Sequence, residues 1–145
     1  MTIEELKGKG AIYFEQIKTG LTQYQNEIQV MDQEQAYEFF WKKWKEEYPW
    51  DTFVDFYYFS LPEEAKQKVN EVLTEEEREY LKQLFQREDS KGEIIFPMEE
   101  MLLGIVTKLN QGEILFSTIY FTGERGKRSA WWGNYKKEYV VFWEE

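Results

Sequence analysis

Ile3, Leu6, Gly10, Phe14, Ile17, Leu21, Tyr24 and Ile28 recur at intervals of three and four. That spacing predicts one face of a helical segment. Glycines at 8, 10 and 20 weaken it, each by about 1 kcal/mol relative to Ala. Thr19-Gly20 is where the segment would split into two helices.

A second helix is predicted from Asp32. Its carboxylate is placed to cap the first turn, with Gln35 as the reciprocal partner of a capping box. Ala36, Tyr37, Phe40, Trp41, Trp44 and Tyr48 fall on one side of it, and Glu38, Lys42, Lys45 and Glu46 on the other. Pro49 stops it.

Asp51 to Leu61 has almost no polar face. The run suits a buried helix or a buried strand, and the helix is preferred because Asp51 can cap it and helices flank it. Asp51 and Asp55 would then share a face, a like-charge pair that binding a cation could justify, though a cap and the single wet point of that helix is the simpler reading.

Ser60-Leu61-Pro62 opens a helix carrying Ala65, Val69, Val72 and Leu73. Thr74 with Glu77 forms another capping box, leading a helix that buries Tyr80, Leu81, Leu84 and Phe85. A short strand is expected at Glu93 to Phe96. Pro97 then opens a helix with Met98, Met101, Leu102, Ile105 and Leu109 on one face, ended by Gly112. Glu113 to Phe121, Ser129 to Tyr135 and Glu138 to Trp143 read as strands joined by short turns, hence an antiparallel meander.

The expected class is α+β. An N-terminal part of four to six helices packs with a C-terminal antiparallel sheet of three to four strands, in one domain over residues 1–145.

Composition narrows the chemistry. There is no His and no Cys among 145 residues. Ser–His–Asp and Cys–His catalysis, zinc–thiolate sites and disulfides are therefore excluded. The lack of Cys fits a reducing cytosol. Met1 to Gly10 has no apolar stretch of the secretory type, and the longest apolar run, Met101 to Val106, is too short for a membrane helix. A cytoplasmic protein without a membrane partner is expected. No catalytic residue, metal ligand or cofactor is implied by any motif.

The net charge is −10, which argues against general nucleic-acid binding. Residues 51–90 alone hold 5 basic and 11 acidic side chains. One basic island, Arg125, Lys127 and Arg128, stands near Trp131 and Trp132. Basic groups beside aromatics can hold a phosphate or stack a base. Lys136 and Lys137 belong to the far end of the same strand, about 20 Å away.

Between Tyr37 and Phe59, 12 of 23 residues are aromatic. Most can be core, and a surplus would form an exposed patch of the kind that marks interfaces. The candidate partner or ligand residues are thus Phe39, Phe56, Phe59, Arg125, Lys127, Arg128 and Trp132.

The leading expectation is a non-catalytic binding or protein-interaction module, with a protein partner or self-association. A second is an acidic inhibitor, of the antitoxin or immunity type, that captures a basic partner. A third is a small-molecule pocket lined by Trp and Tyr between helices and sheet. A carboxylate-based enzyme using Mg²⁺ or Mn²⁺ comes last.

Overall fold

The computed structural model describes residues 1–87, 93–123 and 127–144. Among the described residues it holds six α-helices: α1 (Ile3–Gly8), α2 (Ile17–Gln23), α3 (Gln33–Lys42), α4 (Glu63–Val72), α5 (Glu75–Gln86) and α6 (Glu100–Gln111). Six strands accompany them: β1 (Gln25–Val30), β2 (Thr52–Asp55), β3 (Ile95–Pro97), β4 (Thr118–Phe121), β5 (Ser129–Gly133) and β6 (Glu138–Trp143). The strands form one antiparallel sheet in the order β1-β6-β5-β4-β2-β3. The class is α+β. The strands are more numerous than expected, and three of them precede α6.

Alternation along the strands explains why both sheet faces are buried. Val54, Phe96, Ile119, Phe121, Trp131, Tyr139 and Val141 share a core with Ala36, Phe40 and Trp44, with Val69, Leu81 and Leu84, and with α6. On the opposite face Phe53, Ile95, Tyr120, Ala130, Val140 and Phe142 pack with Leu6 of α1 and with Ala11, Ile12 and Phe14. The sheet is therefore the middle of three layers. Among the described residues, no helix is long and apolar enough to cross a membrane.

Several local expectations are met because their causes are local. Asp32 accepts from the Gln35 N–H at 2.8 Å, and the Gln35 side chain accepts from the Asp32 N–H at 3.0 Å. Thr74 and Glu77 make the same reciprocal pair. α3 ends in a π-helical turn, Lys43–Glu47, just before Pro49.

Other expectations are corrected. Residues 52–55 are not helical. They form β2, buried at every position between β3 and β4. A strand covered on both faces needs no polar face, which accounts for the unbroken apolar run. Asp51 consequently caps no helix. Its carbonyl accepts from the Thr122 N–H at 2.8 Å, beyond the end of β4.

The helical pattern carried through Ile28 also ends early. Tyr24 turns to extended backbone, and Gln25–Val30 then pairs with β6, whose outer edge would otherwise be unpaired. Pro97 closes the edge strand β3 rather than opening a helix, and α6 begins at Glu100. Edge strands are where proline is tolerated. The strand expected from Glu113 is shorter, beginning at Thr118.

One glycine is fixed by contact. A Cβ on Gly20 of α2 would lie 2.2 Å from the Phe14 ring and 2.8 Å from the Phe142 ring. Gly20→Ala is therefore expected to destabilise by about 1–3 kcal/mol through overpacking. A denaturant melt with an unchanged midpoint would show that the two rings yield freely.

The β5–β6 hairpin holds a different kind of strain. Lys136 and Lys137 have φ of 61° and 60°, and the Glu138 N–H closes the turn on the Tyr135 carbonyl at 3.2 Å. Two central residues with positive φ make a type I′ turn, which favours Asn-Gly. Replacing Lys136-Lys137 by Asn-Gly is expected to stabilise the protein by about 1 kcal/mol. Thermal unfolding checks this, and a fall in midpoint would contradict it.

Candidate functional site

The ends of β2, β4 and β5 open a cleft of about 490 Å³ on the α1–α2 side of the sheet. Asp55 of β2, Thr118 and Tyr120 of β4, and Trp132 of β5 form its floor. By strand alternation and register these four point to the same face. Tyr13, Phe14 and Glu15, from the segment linking α1 to α2, make one wall. Tyr57 and Phe116 close the others.

Asp55 is the chemical centre. Among the described residues it is the only acidic or basic residue in the buried class, at 7% exposure. Its Oδ1 accepts from the Thr118 N–H at 2.8 Å, and Oδ2 accepts from the Tyr120 hydroxyl at 3.4 Å. Burial pushes the carboxyl up to about 7, against the pull of the Thr118 and Tyr120 hydrogen bonds. A carboxyl poised near neutrality in a cleft is a functional-site marker. Burial also raises the Tyr57 phenol to about 12, with Asp55 and Tyr13 adding to the effect.

The rings are built into place. Trp132 stacks on Phe14 at 5.0 Å, and Phe14 meets Phe142 edge-on at 4.8 Å. Tyr13 leans on Tyr120 at 6.3 Å. Trp132 Nε1 and Ser117 Oγ, both on cleft-lining residues, are buried without a hydrogen-bond partner. Buried polar atoms are ordinarily satisfied, and these two stand beside the cleft as exceptions. Among the described residues, no Lys or Arg lines the cleft. Lys7 Nζ lies behind one wall, 5.4 Å from the centre of the Tyr13 ring.

Gly133 closes the floor where the layers meet. A Cβ there would stand 1.8 Å from Asn110 Oδ1 and 3.0 Å from the Ser117 carbonyl oxygen. Glycine lets the buried Asn110 side chain of α6 lie against the end of β5.

The candidate residues are distributed among different places. Trp132 lines the cleft. Phe56 is fully buried in the helical-side core, so its ring is not part of a surface patch. Phe59 is half-buried, 5.2 Å from Phe85, in a separate groove between α4 and α5. Phe39 is 38% exposed and rests on Trp131 at 4.9 Å.

Lys127 and Arg128 border a small hollow with Trp131 and Trp143 on that same face. The Arg128 guanidinium is engaged by Glu144 and by the Gly10 carbonyl. Arg125 lies outside the described residues. Lys127 thus lies on the Trp131 side of the sheet, while Arg128 reaches the Gly10 carbonyl on the Trp132 side, at the other end of β5 from Trp132. As the hairpin order requires, Lys127 and Arg128 lie at one end of β5 and Lys136 and Lys137 at the other.

Tyr13, Tyr57 and Tyr120 carry no site signal in the sequence, and Asp55 stands there only as half of a helical pair with Asp51. Reading 51–61 as a helix hid Asp55, which becomes a solvent point there. The available signal was a lone acid inside an apolar run, which on a strand lies on the same face as Phe53. Among the described residues, no group of three or more acidic side chains is placed to hold a metal ion. No family model, curated protein or solved structure matches the chain.

Proposed function

We propose that this chain is a non-catalytic binding protein of the cytoplasm that holds a small neutral or cationic molecule in the Asp55 cleft. The observation that carries the reading is the convergence of a buried carboxyl with six aromatic side chains around a space of about 490 Å³. That volume suits a small organic ligand. Flat rings bury its apolar part, and Asp55, Trp132 and the tyrosine hydroxyls orient its polar part. Among the described residues the lining has two acids and no base, so anions are disfavoured.

A fragment screen by ligand-observed NMR tests this, with neutral, cationic and anionic sets of equal size. Hits are expected among the first two sets and should weaken on Tyr57→Ala, a partly exposed wall residue whose loss leaves the core intact. Hits confined to anions, or hits indifferent to Tyr57→Ala and Trp132→Phe, would defeat the reading.

A further inference from the structure

Building on that reading, we infer that the cleft recognises an organic ammonium group carried on an aromatic or apolar body. Two carboxyls, Asp55 on the floor and Glu15 on the rim, face the same space as the rings of Tyr13, Tyr57, Phe116 and Trp132. Aromatic faces attract a cation through their quadrupole, most strongly where water is excluded. Asp55 supplies the counter-charge at the closed end. The Thr118 N–H holds Oδ1 at 2.8 Å and the Thr118 hydroxyl also reaches the carboxyl, while the Tyr120 hydroxyl stands a long 3.4 Å from Oδ2. Oδ2 therefore retains room for an N–H donor, and a charge-assisted bond there is stronger than a neutral one. Among the described residues, no Lys or Arg lines the space to repel the ligand.

The charge pattern makes the ligand's affinity depend on pH. The groups that face Asp55 are Glu15 and Tyr13 from the α1–α2 segment, Tyr57 beyond β2 and Tyr120 on β4, with Lys7 behind the Tyr13 ring. The tyrosines stay protonated through neutrality. Burial keeps a proton on Asp55 up to about pH 7, and a bound ammonium displaces it. Cation affinity therefore falls as the pH drops from 8 to 6.

The probes are benzylammonium chloride and its neutral analogue benzyl alcohol, titrated into the full chain at fixed ionic strength. Binding is followed at the indole N–H of Trp132. Benzylammonium is expected to bind at least about ten-fold more tightly at pH 8. Asp55→Asn, which keeps an oxygen for the Thr118 N–H, is expected to bring the two affinities to within about two-fold. Glu15→Gln, an exposed change, narrows the ratio less. Equal or tighter binding of benzyl alcohol, or an unchanged ratio in Asp55→Asn, overturns the ammonium assignment but leaves the cleft a binding site. Absence of benzylammonium binding also overturns the assignment. The wider fragment screen decides separately whether the cleft binds at all.

Discussion

Replacing Phe40 by alanine is expected to destabilise the protein by about 3–5 kcal/mol. Phe40 is fully buried. Its ring meets Trp131 edge-on at 5.5 Å and Tyr139 at 5.1 Å, and lies near-parallel to Phe121 at 6.3 Å. It fastens α3 to three neighbouring strands, β4, β5 and β6. The cavity left behind cannot collapse easily, because each neighbour is a rigid ring anchored elsewhere. Phe39, one position along, is the control. It is partly exposed and touches Trp131 from outside, so Phe39→Ala should cost far less. Urea denaturation of the two variants checks the ranking, and equal losses would contradict this account of the core.

Replacing Asp55 by asparagine should change the pH dependence of stability. The folded carboxyl is raised from 3.8 to about 7, so the folded state holds a proton that the unfolded state has released. Stability from this group is therefore complete below about pH 4 and is lost as the pH rises toward 7. The full difference is worth up to roughly 4 kcal/mol. Carboxylates held low, such as Glu144 by the Arg128 hydrogen bond, act in the opposite direction and finish titrating by about pH 5.

Above pH 5 the difference between wild type and Asp55→Asn isolates Asp55. The variant is expected to match wild type near pH 4 and to be the more stable protein at pH 8. Parallel stability curves would show that the carboxyl is ionised at ordinary pH at no cost. A buried acid that lowers stability near neutrality fits a site kept for binding, since activity and stability commonly trade off.

What could be read from the sequence followed the range of the forces involved. Both capping boxes, at Asp32 and Thr74, close within three residues, so their side chains alone specify them. The same holds for the stop at Pro49 and the hairpin order of β4, β5 and β6. β2 and β1 were misread because their state is decided at a distance. Thr52–Asp55 is buried on both faces because helices cover one side of the sheet and the α1–α2 segment the other. Gln25–Val30 is a strand because β6 offers it an edge, and its own side chains bury nothing.

The candidate site was half visible for the same reason. Trp132 stood out by residue type, and it does line the cleft. Phe56 stood out equally, and the strand reading sends it inward to the core. Asp55 acquires its character from burial in the folded sheet, beside Thr118 and Tyr120 more than sixty positions away. The aromatic density between Tyr37 and Phe59 mostly builds the helical-side core, and the cleft draws its rings from both ends of the chain.

The most direct measurement of the central claim is a nitrogen–proton NMR titration with tryptophan labelled at the indole nitrogen. The fragment hits serve as titrants, and the Trp132 signal is assigned through Trp132→Phe. Trp50, which is 87% exposed, is the internal reference. The Asp55 cleft as the binding site predicts that the Trp132 indole signal moves saturably while that of Trp50 stays in place. Hits that bind while leaving Trp132 unmoved would contradict it.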